Sequence, residues 1–441
     1  MAKPSSPRPR PLPLPMRGLI RLKPAAAGWP RPAFSAAAAM AVADGTLLAL
    51  DRLDLALYTA AGALCALYGH DRPYALRART LALVVLGAVG GVGVALTCAA
   101  LTASAPLLVL CAALVAAVQK VVCDASRIGP PGPIVLTFIT STAFFVPQRP
   151  GEIPGRLGLV LAAGTLAWLI CMAPALVRPH APATGPRPAP GTLARLRRGS
   201  PLVPVGVRVA VGACLAGWTA LALGSAHPYW AVVTAAAVFQ ANTTLSWQRA
   251  VQRVLGNLLG LLLFTALLPL VRTGEAALVL VALALQIGAE AVMARNYWLG
   301  SLCVTPMALL LGEFGGAHPA GGLVADRWTD TLVGAAMGLL VCVLITNRRA
   351  ADRVDAALAH AAAARGAAAA ALHEQAPDDE AARARDRLAA ALRELREAAD
   401  VAAGEWWQRA LPQDRVALEE REGRRILAAP GERERASATA A

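Results

Sequence analysis

Three polar residues lie on one face of a long apolar stretch and could bind an anion. Arg249, Arg253 and Asn257 follow one another at intervals of four residues, so a helix places them in one row. Guanidinium groups bind carboxylates through paired hydrogen bonds and also stack on aromatic rings. Arginines near the end of a helix can instead reach the lipid phosphates and set the topology. The row therefore predicts either an anion pathway or a surface anchor, and the deeper Arg253 favours the pathway.

A second set of polar residues stands where two other apolar stretches begin. Arg295, Asn296 and Tyr297 open one stretch, and Arg327 opens another. Tyr297 and the adjacent Trp298 could stack on an aromatic ring. Because cations outnumber anions at these positions, a pathway lined by them would select anions.

Two carboxylates near these cations allow more than one explanation. Glu290 could pair with Arg295, or it could carry protons for coupled transport, since ionisable residues inside membranes are costly and mark function. Asp330 follows Arg327 by three residues and could neutralise it within one helical turn. Both choices stay open at the level of the sequence.

No motif indicates enzyme chemistry. The chain has no Walker loop and no GxSxG or HExxH pattern. Its eight cysteines include no CxxC pair, and its six histidines lack the spacing of metal ligands. We therefore predict no catalytic residues, no metal and no cofactor.

Composition places these residues in a membrane protein. Of 441 residues, 56% are hydrophobic and 16% are charged, against roughly 45–50% and 25% in soluble domains. The apolar residues form runs of about 15–23, enough to cross about 30 Å of hydrocarbon. The net charge of +14 lies mainly in the N-terminal region and in short loops. The positive-inside rule explains that placement, so the charge does not indicate nucleic-acid binding.

About twelve apolar segments, six on each side of a basic linker, define the predicted fold. They run over 33–50, 55–68, 80–101, 106–122, 133–146, 157–176, 205–223, 229–239, 249–271, 275–292, 297–311 and 328–346. The predicted domains are a disordered basic tail (1–32), a first six-helix repeat (33–177), a basic cytoplasmic linker (178–204), a second repeat (205–347) and a cytoplasmic helical tail (348–441). The fold class is therefore an all-α polytopic membrane protein with two parallel six-helix repeats. Whether segments 55–68, 133–146 and 229–239 cross fully is open.

The two halves align at an offset of about 170 residues, as an internal parallel repeat would. The matched pairs are Arg79 with Arg249, Gly90 with Gly260, Arg156 with Arg327, and Gly164 with Gly334. Arg253 matches Leu83, so it has no cationic counterpart. This difference makes the second half the predicted seat of the site.

Small residues mark the helix faces that are expected to pack closely. Gly256 and Gly260 are four residues apart, a spacing that permits tight contact between membrane helices. Gly87 and Gly91 match this pair after a one-residue shift of the alignment. Gly334 in the last segment is predicted to serve the same purpose.

The distribution of arginines also predicts orientation and partners. Basic residues cluster on one side of the apolar segments, which places both termini in the cytoplasm and the chain in the cell (inner) membrane. The expected partners are the lipid bilayer and a small organic anion, with no nucleic acid. The tail, in which Trp406 and Trp407 could dock on the membrane face or on the tail helices, could also hold a homo-oligomer or bind a partner.

Four short motifs follow one another in the second half. They are His227-Pro-Tyr-Trp-Ala, Arg249-xxx-Arg253-xx-Gly256-xxx-Gly260, Arg295-Asn-Tyr with Thr305, and Arg327-xx-Asp330-Thr-xx-Gly334. Over about Val205–Asn347 this order resembles the fusaric acid resistance and aromatic acid exporter family. Asn257 stands where that family commonly has threonine, and the first half lacks the Asn-Tyr pattern, like a decayed copy.

The resemblance implies an inner-membrane exporter of aromatic carboxylic acids or related toxic compounds, with a helical cytoplasmic domain. The family is similar to plant aluminium-activated malate channels, which implies an anion-conducting ancestor. A transporter is therefore the leading hypothesis. A passive anion channel would need the arginines but no proton carrier, and a membrane scaffold would act through its helical tail.

Overall fold

The structure is a computed structural model that describes residues 19–24, 28–129, 131–176, 202–313, 320–345, 350–373, 377–406 and 411–428. All regular secondary structure in these ranges is helical, which confirms the predicted all-α class. Eight of the described helices are long and apolar enough to cross a membrane. The described residues form a large unit, 19–240 with 246–344, and a small unit, 241–245 with those from 345 onward.

The large unit contains the apolar helices, numbered here in chain order. The helices of the first half are α1 (Pro30–Ala49), α2 (Ala56–Ala63), α3 (Tyr74–Leu101), α4 (Ala105–Ala125), α5 (Ile134–Ala143) and α6 (Ile153–Met172). Those of the second half are α7 (Leu202–Ala222), α8 (Tyr229–Val238), α9 (Thr243–Val271), α10 (Glu275–Met293), α11 (Tyr297–Glu313) and α12 (Ala320–Leu344). Each predicted segment corresponds to one of these helices. The predicted linker at 178–204 lies almost wholly outside the described residues.

The second and fifth helices of each half are shorter than their neighbours. Helices α2, α5 and α8 have 8, 10 and 10 residues, so each measures about 15 Å or less at 1.5 Å per residue. That is about half of the hydrocarbon thickness. Helix ends at this depth persist only where protein covers them, and α8 is covered, with Trp230 and Thr234 buried.

The contacts between helices repeat from one half to the other. Helix α2 packs on α6 as α8 packs on α12, and α1 packs on α2 as α7 packs on α8. Contacts across the halves are reciprocal, since α4 packs on α7 while α10 packs on α1. Two parallel bundles related by an axis along the membrane normal would produce this pattern.

Close glycine contacts define the register of the repeat. A methyl group on Gly91 would lie 2.8 Å from Thr140 Oγ1, and one on Gly260 would lie 2.7 Å from Thr305 Cβ. A methyl group on Gly90 would meet nothing within 4 Å. The structure therefore pairs Gly260 with Gly91, which is the one-residue-shifted alignment and not the pairing with Gly90.

The shifted register changes the residue that corresponds to Arg253. Arg253 now matches the buried Val84, not the exposed Leu83. Arg249 matches the buried Thr80, not the exposed Arg79. Neither arginine of α9 has a cationic counterpart in this register, so the difference between the halves is larger than the sequence alignment indicated.

The small unit consists of three helices and a short bend. Its helices are α13 (Ala350–His373), α14 (Asp378–Ala403) and α15 (Gln413–Ala428). The bend, residues 241–245, bonds to the end of α14: Thr243 Oγ1 donates to Glu405 Oε2 at 2.7 Å, and Trp406 Nε1 donates to Thr244 Oγ1 at 3.2 Å. Trp406 thus contacts the bend between α8 and α9, and Trp407 lies outside the described residues.

Part of the predicted disordered tail is packed in the structure. The carbonyl oxygen of Leu19 accepts hydrogen bonds from Asn296 Nδ2 at 2.8 Å and from Gln252 Nε2 at 3.1 Å. The amide of Lys23 donates to the carbonyl of Arg295 at 3.0 Å. Residues 19–24 therefore differ from the expectation of disorder, while residues 1–18 lie outside the described part of the chain.

Candidate functional site

The row of polar residues on α9 points into the helix bundle. The Arg249 guanidinium lies over the Tyr297 ring, 3.8 Å from its centroid. Arg253 is buried and donates from Nη1 to the Tyr297 hydroxyl at 2.7 Å and from Nε to Thr234 Oγ1 at 3.1 Å. Arg253 is therefore not a headgroup anchor: both arginines hold the same aromatic residue at the start of α11.

Asn257 ties three helices together one turn deeper. It accepts from Thr305 Oγ1 at 3.0 Å, and its Nδ2 donates to Thr331 Oγ1 at 2.7 Å and to the Arg327 carbonyl at 3.3 Å. Asn257 stands at the midpoint of α9, which runs from Thr243 to Val271. If α9 crosses the membrane along its whole length, a site at this height would lie near the middle, where transporters place their binding sites.

Arg327 is the most exceptional charge of the cluster. It is 3% exposed, and its guanidinium lies over the Trp230 ring, 5.1 Å from the centroid. Its Nε and Nη1 have no hydrogen-bond partner within the described residues. It also lies close enough to Arg253 for the two positive charges to repel each other. Arg327 is thus a buried cation with spare N–H donors beside a second buried cation, an arrangement that would attract an anion.

Asp330 does not neutralise Arg327 in the way that the sequence suggested. No nitrogen–oxygen distance between the two side chains falls within 4.0 Å, so they form no ion pair among the described salt bridges. Asp330 is fully buried, and its Oδ2 accepts from Ser225 Oγ at 2.8 Å. Its Oδ1 has no hydrogen-bond partner in the described ranges.

A histidine also stacks on Trp230. The His227 ring stacks on the Trp230 ring with centroids 4.6 Å apart and an interplanar angle of 18°. His227 Nδ1 lies 2.9 Å from Asp326 Oδ2, which holds the imidazole in place. Trp230 therefore contacts both His227 and Arg327, and the carboxylate of Asp326 bonds to the histidine.

The first half has a similar arginine that is neutralised. Arg156 of α6 lies over the Tyr58 ring of α2, 5.3 Å from its centroid, as Arg327 lies over Trp230. Arg156, however, bonds to Gln148 and forms an ion pair with Glu152 at 2.8 Å. Each half therefore has a guanidinium over an aromatic ring, and of these two arginines Arg327 is the one without a carboxylate partner among the described residues.

Glycines set the distances between the helices of the site. A side-chain carbon on Gly256 would clash with the Trp298 carbonyl and lie 2.5 Å from Ser301 Cβ. One on Gly334 would lie 2.6 Å from the Ala231 carbonyl oxygen and 2.7 Å from Thr234 Cβ. Close approach of α9 to α11 and of α12 to α8 thus depends on these glycines, as the small-residue spacing predicted.

Other predicted site residues lie apart from this cluster. Asn296 donates to the backbone carbonyls of Leu19 and Arg21, at 2.8 and 3.2 Å, so its amide is used in packing. Arg295 is half-buried, and its Nε lacks a partner in the described part of the chain. Glu290 is half-buried, and no ion pair with Arg295 is present among the described residues. Its proposed role in proton transfer stays a prediction.

Several residues of the cluster were not predicted from the sequence. Thr234, Trp230 and Ser225 contact Arg253, Arg327 and Asp330 across helices. Thr234 left one signal, since it is the only hydroxyl besides Tyr229 in the apolar helix α8. No grouping of three metal-binding side chains occurs in the ranges that the structure describes.

A protein-family model matches the second half of the chain. Residues 215–341, less than half of the chain, match the family model described as fusaric acid resistance protein-like. This match confirms the resemblance that the four motifs indicated, and it contains the whole polar cluster. No solved structure matches the chain.

Two curated relatives share this similarity. Over 138 residues the chain is 36% identical to "Uncharacterized membrane protein YvaC" of Bacillus subtilis (strain 168), a match that covers 31% of this chain and 22% of the relative. Over 140 residues it is 29% identical to "Uncharacterized protein slr1298" of Synechocystis sp., which covers 32% and 18%. The chain thus spans about a fifth of the length of these relatives. The matches and the apolar helices identify a membrane protein.

Proposed function

We propose that the protein transports small organic anions across the membrane through the cluster between α8, α9, α11 and α12. The family match of residues 215–341 supports membrane transport as the general activity. The specific observation is Arg327, a buried guanidinium whose Nε and Nη1 have no hydrogen-bond partner, and which has no carboxylate within 4.0 Å, among the described residues. An uncompensated buried charge is costly, and a bound anion would remove that cost.

Aromatic carboxylates are the substrate class that fits the neighbouring side chains. The guanidinium of Arg327 offers paired donors of the kind that a carboxylate accepts. Trp230 and Tyr297 lie against the two arginines, and their rings could stack on an aromatic substrate at offset or edge-to-face geometry. An aliphatic carboxylate would satisfy the charge but not the rings.

Export across the inner membrane, with both termini in the cytoplasm, is part of this proposal. Arginines flank the ends of the apolar segments on the side assigned to the cytoplasm. Arg249, Arg253 and the packed segment 19–24 then lie towards the cytoplasmic end of α9. A substrate would first meet Arg249 and move inward to Arg253 and Arg327.

The test is uptake and release of labelled acids by proteoliposomes. We expect saturable flux of benzoate, 4-hydroxybenzoate or phenylacetate by the wild type, and less flux of acetate and none of choline. Arg253→Gln should lower flux at least about tenfold, since a hydrogen bond to a charged group contributes about 1.5–3 kcal/mol.

Arg79→Gln is the matched control for this substitution. Arg79 is exposed on α3 and makes none of the contacts of the cluster, so its variant should keep wild-type flux. Equal flux from the Arg253→Gln and Arg79→Gln proteins would refute the proposed pathway. Flux that does not saturate and that carries steady current in planar bilayers would instead support the passive channel.

A further inference from the structure

Asp330 is a buried carboxylate that has no role in the anion site proposed above. It lies on α12 three residues after Arg327, so both side chains project from the same side of the helix. Its Oδ2 is held by the Ser225 hydroxyl at 2.8 Å, and its Oδ1 has no hydrogen-bond partner among described atoms. Because a buried oxygen without a hydrogen-bond partner is costly, this atom is expected to bind a proton or a ligand.

We propose that Asp330 takes up one proton when an organic anion binds at Arg327, so that the site carries the anion and the proton together. This inference rests on the proposed function. The proton comes from water on the open side of the membrane and forms an O–H bond at Oδ1. The resulting carboxylic acid can donate a short O–H···O⁻ hydrogen bond to the bound carboxylate.

The physical reason is the charge balance of the cluster. Without substrate, the positive charge of Arg327 and the negative charge of Asp330 interact through space without forming a pair within 4.0 Å. A bound anion adds a second negative charge beside Asp330, and two carboxylates in one site cannot both stay ionised at low cost. Protonation of Asp330 removes this repulsion between the two carboxylates, while the anion stays beside Arg327.

Charged and polar groups face Asp330 from several of the elements around it. On α12 these are Arg327 and Asp326. Between α7 and α8 they are the Ser225 hydroxyl and His227, which bonds to Asp326. On α8 it is the Tyr229 phenol, which interacts electrostatically with Asp330.

The remaining neighbour is helix α9, whose polar side chains act on Arg327 and form no bond with Asp330 among the described residues. Asn257 contacts the Arg327 carbonyl, and the positive charge of Arg253 acts on Arg327. No cationic nitrogen bonds to Asp330 within the described ranges. Protons therefore exchange at Asp330 without the opening of an ion pair.

Glu290 is the other carboxylate that could take up the proton, but its surroundings differ from those of Asp330. It lies on α10, which packs on α1 and α11, and it shares no hydrogen bond with Arg253 or Arg327 among the described interactions. Anion binding therefore changes the surroundings of Asp330 directly, while Glu290 stays outside the cluster.

Thermodynamic linkage between proton binding and anion binding determines whether anion affinity rises or falls with pH. If the bound anion favours the protonated form of Asp330, then protonation favours anion binding by the same factor. Affinity for benzoate should therefore fall as pH rises from about 6 to about 9, a range in which the free acid is already ionised. Anion transport together with a proton moves no net charge.

The experiment measures proton uptake and charge movement for benzoate, 4-hydroxybenzoate and phenylacetate. The purified full-length protein in weakly buffered detergent solution should take up about one proton per bound anion. Asp330→Asn should bind the acid without proton uptake, and its flux in proteoliposomes should respond to an imposed membrane potential. Wild-type flux should not respond to that potential. Glu290→Gln should behave like the wild type.

The outcomes separate this inference from the proposed function. Absence of binding and flux in the wild type overturns the proposed function itself. Binding by the wild type without proton uptake, or uptake lost in Glu290→Gln but kept in Asp330→Asn, overturns the role of Asp330 alone. The wild-type pH dependence and potential dependence decide the matter even if the Asp330→Asn protein does not fold.

Discussion

Some positions that hold buried, uncharged side chains in the first half hold charged side chains in the second half. Asn257 shows how the protein supports this arrangement, because its amide holds the backbone of Arg327 and two hydroxyls, Thr305 and Thr331. Each bond crosses from α9 to another helix. Loss of this amide would release the helix segment that positions the guanidinium.

Replacing Asn257 with leucine should therefore destabilise the protein by about 1–2 kcal/mol, since interhelical hydrogen bonds in membranes contribute up to about 1.7 kcal/mol. The midpoint of thermal unfolding in detergent measures the effect. Thr265→Ala is the control on the same helix, because the Thr265 hydroxyl bonds only to the Leu261 carbonyl of its own turn. Equal midpoints for the two variants would show that the amide network does not support the site.

His70 gives a prediction for the pH dependence of stability. It lies in the loop between α2 and α3, where burial lowers the pKa of its imidazole below the ordinary value of 6.5. The unfolded state then binds more protons than the folded state near that pH, so stability falls as pH drops through about 6.5. Thermal midpoints measured across this range should show that slope.

The His70→Gln protein should lose most of this slope, because glutamine does not titrate. His360→Gln is the control, since His360 lies exposed on the surface of the small unit, and its variant should keep the slope. A wild-type slope that persists in His70→Gln would assign the effect to another group.

Residue types and spacing predicted part of the candidate site and missed the rest for a physical reason. The row Arg249, Arg253 and Asn257 was visible because four-residue spacing on a helix is a local property. The positions of Thr234 and Trp230 were not visible, because their contacts join helices that are distant in sequence. The same limit left open whether Asp330 neutralises Arg327.

Among the helices, the short second and fifth members of each half shape the site. Helix α8 brings Thr234 and Trp230 to the depth of Arg253 and Arg327, and α11 brings Tyr297 and Thr305 to the same face of α9. Helix lengths were predictable from the apolar runs. The pairing of helices was not, because glycine spacing shows that a face packs closely but not which helix it meets.

Replacing Gly256 with alanine should force α9 and α11 apart. The added carbon would clash with the backbone of Trp298, which cannot rotate away as a side chain could. We expect a loss of about 1–3 kcal/mol in stability and a marked loss of acid flux. Both are measured by thermal unfolding and by the proteoliposome assay.

Gly90→Ala is the matched control in the first half. It lies on α3, and a methyl group there would meet nothing within 4 Å. This variant should be neutral or more stable by up to about 1 kcal/mol, because alanine favours helix more than glycine does. Similar loss in both variants would mean that glycine flexibility, not close packing, matters at Gly256.

In the whole molecule, the two halves have the same order of long and short helices but different charged residues. The order of long and short helices and the reciprocal contacts relate the halves. The sequence predicted the two-part order because the apolar runs recur with the same lengths. It misaligned the glycines by one residue, since alignment by residue type cannot separate Gly90 from Gly91 without their neighbours.

One matched pair of arginines has different partners in the two halves. Arg156 and Arg327 both lie over an aromatic ring, but only Arg156 has a carboxylate and an amide oxygen as partners. If anion transport depends on an uncompensated guanidinium, then these two arginines must differ in function although their settings are alike. A protein in which both arginines only pack helices would show no such difference.

Flux of benzoate through proteoliposomes containing Arg327→Gln or Arg156→Gln is the measurement that tests this claim most directly. Both variants would first be shown to elute and unfold as the wild type does. We predict that Arg327→Gln lowers flux at least about tenfold, from the loss of a charged hydrogen bond of about 1.5–3 kcal/mol, while Arg156→Gln keeps most of it. Equal flux from the two variants, or a greater loss in Arg156→Gln, would contradict the assignment of the anion site to Arg327.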